Sequence, residues 1–205
     1  MANKPQAQPA ALGFRVKSGW AMAVLLAGPS NAPSLLRCQS VLLSDPKVPG
    51  SKQPYHAALE LPEKEAAIVV QKLRKVVGAA AMQSVADLLQ KAGEAGYTVR
   101  GAALVVGSLV DPASLHNEHI RAHGLEGQLF RTALEDALRL QGVPCAVLLE
   151  KTAYATAATA LHKSTAQAKH IAVNLGDSHD GAWRAEEKLA ALAAWMSLMV
   201  HAKTR

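Results

Sequence analysis

The first third of the chain has the hydrophobic pattern of β-strands. Residues 14–17 alternate between apolar and charged side chains, and residues 20–26 are continuously apolar, as in a strand that is covered on both faces. A turn-forming segment at 28–33 leads into a second strand predicted at 35–43, so we expect a hairpin. After a proline-rich loop, residues 55–61 have the length and composition of a short third strand.

Helices and strands alternate in the rest of the chain. A helix is predicted from Pro62 to about residue 92, with Gly78 as a candidate break, because proline and acidic residues are favoured in a first helical turn. The elements predicted after it are a strand at 98–109, a helix between Pro112 and Gln141, a strand at 143–149, helices at 152–161 and 164–173, and a last helix at 183–201. Each of the later strands is therefore separated from the next by a helix.

This order of elements predicts an α/β fold built on a mixed five-stranded sheet. Strands that are separated by helices run parallel through right-handed crossovers, whereas the opening strands are expected to be antiparallel. Helices should cover both faces of such a sheet. We expect a single domain at 13–205, preceded by a disordered tail at 1–12 that is rich in Ala, Pro and Gln.

Composition supports this fold class but excludes few classes of function. Hydrophobic residues make up 50% of the chain and aromatic residues 4%, so a large aliphatic core is expected and wholesale disorder is excluded. The net charge of +6 favours phosphate backbones, anionic membranes or acidic proteins as partners. The basic residues form no run, however, and scattered Lys and Arg explain the same charge.

Cysteine content and apolar runs favour a cytoplasmic protein. Cys38 and Cys145 match no metal-binding spacing and indicate no disulfide framework. The amino-terminal residues lack the apolar core of a signal peptide, and the longest apolar run, at 20–27, is too short to span a bilayer. We therefore expect reduced thiols and no membrane partner.

Candidate chemistry is concentrated in one histidine-rich segment. On a helical wheel, side chains that could bind or catalyse fall within a sector of roughly 80°. They are His116, His119, His123 and Glu126, followed on the same face by Phe130. His119 and His123 are four residues apart and could bind one metal ion, with Glu126 as a third ligand. The same histidines could instead act as acid–base groups, because imidazole titrates near neutral pH.

Other interpretations of this segment stay open. The short zincin motif His-Glu-x-x-His is absent, because Glu118 precedes His119. Gly124 and Gly127 each cost a helix about 1 kcal/mol relative to Ala, which indicates either close approach by a neighbouring group or a helix that begins later. In the second case the histidines lie on a loop, and solvated or structural histidines explain the pattern.

The carboxyl-terminal half of the chain carries the local patterns of one enzyme family. The patterns are an aliphatic strand, an Ala-rich helix, a helix start with the sequence Ser-Thr-Ala-Gln-Ala-Lys, and a final helix with two adjacent glutamates, at 143–149, 154–161, 164–169 and 184–193 respectively. Together with the element order, they resemble the ribonuclease H-like superfamily and, within it, the RuvC-type Holliday-junction resolvases. The element order extends over most of the chain, whereas the local patterns are confined to this half.

The resemblance implies carboxylates in four places that hold two Mg²⁺ or Mn²⁺ ions, which activate water and stabilise the leaving oxygen. The first strand should supply one acid but carries Arg15 and Lys17. The end of the fourth strand should supply another but carries Gly107 and Ser108, with Asp111 a few residues later. The final helix does supply two acids, Glu186 and Glu187. The two-metal site is therefore expected to be atypical or lost.

Three functional hypotheses follow from these patterns. The leading one is a nucleic-acid-associated protein with DNA or RNA as its partner, which as a nuclease would use an atypical metal site. In that case His119, His123 and Glu126 are the candidate catalytic residues, and Glu126 and Glu187 are the candidate metal ligands. The alternative is a non-catalytic interaction or scaffold domain of the same fold that forms a homodimer through apolar helices. A small-molecule enzyme that uses the same crevice is the third.

Overall fold

The computed structural model describes residues 7–202 and contains one five-stranded sheet. Its strands are β1 (Gln8–Lys17), β2 (Trp20–Ala27), β3 (Ser34–Leu42), β4 (Tyr97–Val106) and β5 (Cys145–Leu149). Their order across the sheet is β3-β2-β1-β4-β5. β1, β2 and β3 pair antiparallel, while β1, β4 and β5 run parallel. The mixed sheet that the element order predicts is therefore confirmed.

The α-helices of the described part of the chain also follow the predicted order. They are α1 (Glu63–Glu94), α2 (Glu118–Leu140), α3 (Ala153–Ala160), α4 (Thr165–Asn174) and α5 (Ala185–Ala202). α1 continues through Gly78, so the predicted break there is wrong. α2 begins later than predicted, because the Asn117 side chain caps it by accepting a hydrogen bond from the Ile120 N–H at 3.0 Å.

The three opening strands are divided differently from the prediction. Gly19, with φ of +81°, turns the chain between β1 and β2, so the stretch expected to form one strand makes two. The third strand predicted at 55–61 is wrong, since this segment contains a 3₁₀ helix, His56–Ala58. Its backbone amides bond locally, for example from the Leu59 N–H to the His56 carbonyl at 3.2 Å, and prolines flank it at 54 and 62.

The predicted tail at 1–12 overlaps β1. The strand begins at Gln8, and Ala10, Ala11 and Leu12 are buried between β2 and β4, so residues 8–12 do not belong to a tail. Their Ala- and Pro-rich composition hides this role, because Ala and Pro are uncommon in strands and the ladder with β4 joins residues about 90 positions away in sequence. The prediction for residues 1–6 lies outside the described residues.

Helices cover both faces of the sheet, as predicted. α1 and α2 pack on one face, where Phe14 and Leu134 belong to one buried core. α3, α4 and α5 pack on the other face, where Val105 and Trp195 belong to a second core. Successive residues of a strand point to opposite faces, which is why the central strands contribute to both cores.

The parallel strands bring three segments together at one edge of the sheet. Arg15 on β1 is paired with Val105 on β4, and Val106 is paired with Leu149 on β5. The carboxyl ends of β1, β4 and β5 therefore lie side by side, and the first turns of α2 follow shortly after β4. Open α/β sheets bind ligands at such an edge.

Candidate functional site

A cleft of about 520 Å³ lies at the carboxyl edge of the sheet. Its walls are the end of β1, the segment that follows β4 and the first half of α2. The polar and charged side chains that line it include Arg15, Lys17, Ser108, Asp111, His123 and Arg131. This is the position that the resemblance to RuvC-type resolvases implies for two catalytic metal ions.

A buried arginine occupies the inner wall of the cleft. Arg15 is 4% exposed and forms an ion pair with Glu150, the first residue after β5. It also donates hydrogen bonds to the carbonyl oxygens of Val16 at 2.7 Å and Val105 at 3.4 Å. The guanidinium thus reaches across the end of β4 and joins the two outer strands of the parallel group.

A second ion pair joins the same edge to the last helix. The Lys17 ammonium lies 3.2 Å from a carboxylate oxygen of Glu186. The hydrogen bond from Lys17 is the main reason that the pKa of the Glu186 carboxyl lies below its usual value. Glu186 is therefore held as a charged partner of a lysine.

The residues at this edge do not fit a pair of Mg²⁺ ions. Arg15 and Lys17 stand where the first carboxylate ligand is required, and Gly107 and Ser108 provide no carboxylate at the end of β4. The nearby Asp111 accepts a hydrogen bond from the Ala113 N–H at 3.0 Å and caps a short 3₁₀ helix. Cations beside a metal position repel Mg²⁺, so we derive no two-metal hydrolysis from this geometry.

Three histidine rings meet beside the cleft. We call His56, His119 and His123 the histidine cluster. The centroid of the His56 ring lies 4.7 Å from that of His119 and 4.3 Å from that of His123, and the centroids of the latter two are 4.7 Å apart. One ring nitrogen from each residue lies within 4.8 Å of the other two. Two of the three histidines are on successive turns of α2, and the third comes from the 3₁₀ helix before α1.

A buried carboxylate fixes the orientation of His56. Glu126 is 0% exposed, and one of its oxygens lies 2.8 Å from Nδ1 of His56 and accepts the His56 backbone N–H at 3.2 Å. The other Glu126 oxygen and Nε2 of His56 are buried without a hydrogen-bond partner. A carboxylate on Nδ1 favours the tautomer whose Nε2 carries a lone pair.

The structure brings together only part of the predicted site. His119, His123 and Glu126 are neighbours, as the helical spacing indicates, but His116 precedes the helix and is not in the cluster. Glu187 lies on α5, and the sheet separates it from Glu126, which is on α2. One Glu187 oxygen accepts the Arg184 N–H at 2.8 Å, at the start of α5. Glu126 and Glu187 therefore cannot bind the same ion.

His56 is the functional candidate that sequence reasoning missed. It is 70 residues away from Glu126, and no local spacing connects the two. The strand predicted at 55–61 also gives the His56 side chain no reason to face α2. One signal in the sequence could have pointed to His56. Two histidines are too few ligands for a metal site, so a further ligand from elsewhere in the chain is required.

The cysteines are not part of the histidine cluster. Burial raises the pKa of the Cys38 thiol to about 11, with a further contribution from the negative charge of Glu187. Burial likewise raises the pKa of Cys145 to about 12, with a contribution from Glu135. Both thiols are therefore protonated at neutral pH, whereas metal binding requires a thiolate.

None of the helices within residues 7–202 combines the length and the apolar character that crossing a bilayer requires.

Solved structures of RuvC share the fold of this chain. The Thermus thermophilus RuvC structure aligns with a TM-score of 0.56 and 11% sequence identity, over 95% of this chain and 96% of that chain. T. thermophilus RuvC in complex with Holliday junction substrate aligns with a TM-score of 0.57 and 10% identity, with the same coverage. No protein-family model matches the sequence, and no curated protein matches it significantly. The predicted ribonuclease H-like fold of RuvC type is confirmed.

Proposed function

We propose that this protein binds nucleic acid through the cleft at the carboxyl edge of its sheet and does not hydrolyse phosphodiesters there by a two-metal mechanism. The observation that carries the proposal is the replacement of metal-binding acids by cations. Arg15 and Lys17 lie at the end of β1, and each is paired with a carboxylate. Phosphate groups are attracted by such cations, whereas Mg²⁺ is repelled.

The charge of the cleft and of the chain supports a phosphate-backbone partner. The charged residues that line the cleft are the cations Arg15, Lys17 and Arg131 and the carboxylate Asp111. Each cation also has a carboxylate partner, Glu150, Glu186 and Glu135 respectively, with which a phosphate would compete. The whole chain carries a net charge of +6. One of the structural neighbours is a RuvC in complex with Holliday junction substrate, so a four-way DNA junction is the first ligand to test.

Binding to a labelled four-way junction, measured by fluorescence anisotropy over a series of NaCl concentrations, tests the proposal. We expect affinity to fall steeply with salt, because cationic side chains release counterions from the phosphates. Lys17→Gln and Arg131→Gln should each weaken binding and lower the slope of log K against log salt by about 1. Duplex, single-stranded DNA and RNA compared in the same assay establish the preferred structure.

Arg37→Gln is the matched control, because Arg37 is exposed on the edge strand β3 and does not line the cleft. It should leave the affinity and the salt slope unchanged. Equal losses in all three variants would indicate binding that depends on net charge alone and would contradict a role for the cleft. Absence of any binding, together with a stable dimer in sedimentation, would favour a scaffold domain instead.

A further inference from the structure

We infer that the histidine cluster binds one transition-metal ion of the Zn²⁺ class, with Glu126 as the residue that orients His56. Three imidazoles are a donor set that suits Zn²⁺, Co²⁺, Ni²⁺ and Cu²⁺, whereas Mg²⁺ prefers oxygen ligands. The site lies beside the cleft that Arg15 and Lys17 line and shares His123 with its wall, but its ligands do not include either cation, and metal binding there requires no nucleic acid.

The unsatisfied atoms of His56 and Glu126 favour a cation-binding site. Buried polar atoms nearly always have a hydrogen-bond partner, and a buried carboxylate needs a compensating charge. Yet Nε2 of His56 and one oxygen of Glu126 have no hydrogen-bond partner, and the imidazole of His56 is the group that can compensate the charge of this carboxylate. A metal ion bound to Nε2 would give that nitrogen a partner. Through the imidazole, the ion would also supply positive charge to the Glu126 carboxylate. The arrangement of carboxylate, histidine and metal recurs in metal sites for this reason.

The spacing of the cluster allows coordination after small side-chain rotations. Zn–N bonds are about 2.0–2.1 Å long, so the nitrogens of a tetrahedral site lie about 3.3 Å apart. The ring nitrogens of the cluster lie within 4.8 Å of one another, so the widest pair must close by no more than about 1.5 Å. His119 and His123 are exposed on α2 and are free to rotate, while His56 is held by Glu126.

Three protein ligands leave the fourth tetrahedral position for water. Structural zinc sites usually have four protein ligands, whereas sites that bind or activate a ligand keep one position open. His123 also lines the cleft of about 520 Å³, so an ion bound by the cluster would lie next to this cleft. A metal ion here would be available to a ligand that enters the cleft.

Metal binding is tested with protein that carries no polyhistidine tag and has been stripped with a chelator. Titration with Zn²⁺ in competition with a chromophoric chelator should give one ion per chain. Co²⁺ should give the intense visible absorption of a tetrahedral site. His119→Ala and His123→Ala should each lower Zn²⁺ affinity at least a hundredfold, and both are exposed enough to leave folding intact. His116→Ala is the matched control, because His116 is exposed and outside the cluster.

The role of Glu126 is tested separately with Glu126→Gln. The amide keeps the size and the hydrogen bond to His56 but not the charge, so we expect Zn²⁺ affinity to fall by about 10- to 100-fold. Circular dichroism and Tm measured without metal establish whether the variant folds, because Glu126 is fully buried. The inference is overturned if the unmodified protein binds no Zn²⁺ or Co²⁺. It is equally overturned if the His119→Ala and His123→Ala variants bind as tightly as the His116→Ala control.

Discussion

At the scale of single residues, Arg15 explains how this edge of the sheet differs from a metal site. A guanidinium is rarely buried without a paired charge, and Arg15 is 4% exposed. Glu150, the first residue after β5, supplies that charge, and two backbone carbonyls accept hydrogen bonds from the other terminal nitrogen of the guanidinium. The ion pair therefore links the carboxyl ends of β1 and β5, at the position where the resemblance implies a metal ion.

Removal of the Glu150 charge should destabilise the protein. Glu150→Gln leaves a buried cation without its counter-charge, which costs about 1–3 kcal/mol of the free energy of unfolding. This loss of stability is smaller than the loss expected for a fully buried ion pair, because the Glu150 side chain is 43% exposed. We expect Tm to fall by about 3–10 °C for a chain of this length. Thermal and urea unfolding followed by circular dichroism measure the change.

The exposed ion pair between Arg139 and Asp136 provides the control. Its side chains are 71% and 53% exposed, so Asp136→Asn should change the free energy of unfolding by less than about 1 kcal/mol. If Glu150→Gln proved as mild as Asp136→Asn, Glu150 would not be the partner that stabilises Arg15. The description of this edge would then be incorrect.

Site residues could be predicted from the sequence only where they share a helix. His119, His123 and Glu126 recur at helical spacing, which is a local signal. His56 contacts them because the chain folds back after β3, and nothing in its neighbourhood marks it. Glu187 matched the resemblance by type and position, but its helix packs on the opposite face of the sheet from α2. Local periodicity carries no information about either placement.

At the scale of elements, the packing of α5 against β1 depends on a glycine. A Cβ atom at Gly13 would overlap the Ala190 carbonyl oxygen and the Ala194 backbone nitrogen. The helix backbone therefore lies directly on the strand, and Ala190, Ala193 and Ala194 are fully buried there. Small residues on both sides make this approach possible, which accounts for the Ala-rich composition of α5.

Gly13→Ala should force α5 away from the sheet. Overpacking of this kind lowers the free energy of unfolding by about 1–3 kcal/mol and occasionally more. We expect a loss at the upper end, because the clashing backbone atoms can move only if the whole helix moves. Equilibrium urea unfolding gives the value. Gly78→Ala is the matched control, since a Cβ there meets no atom within 4 Å and α1 should gain about 0.5–1 kcal/mol. A Gly13→Ala protein as stable as the control would contradict the observed α5–β1 contact.

Element order could be predicted more reliably than strand boundaries. The alternation of strands and helices after Pro62 predicts that the later strands run parallel. Crossover connections are right-handed, and each helix needs a face of the sheet to cover. The division of the opening strands is predicted incorrectly, because the two-residue turn at Ser18 and Gly19 is a short interruption between two strand-like patterns. The 3₁₀ helix at His56–Ala58 was mistaken for a strand because its apolar residues are too few to show a period.

At the scale of the whole molecule, this chain shares a fold with RuvC at low sequence identity. The chain aligns with T. thermophilus RuvC over 95% of its length, although the two share 11% sequence identity. The sheet needs only aliphatic residues at the right period, which many sequences provide. A two-metal site needs carboxylates at particular positions, and ion pairs of Arg15 and Lys17 stand there instead. The fold could therefore be predicted from the sequence. The ion pairs at the carboxyl ends of the strands could be found only from the structure.

The central claim is that the edge of the sheet binds phosphates without cleaving them by two-metal catalysis. The most direct measurement incubates a labelled four-way DNA junction with the protein and Mg²⁺, and follows bound complex and cleavage products in parallel gels. The account predicts a salt-sensitive complex that Lys17→Gln weakens, with the junction strands intact. Cleavage that requires Mg²⁺ and disappears in Glu186→Gln would contradict it, because Glu186 would then be a metal ligand rather than the partner of Lys17.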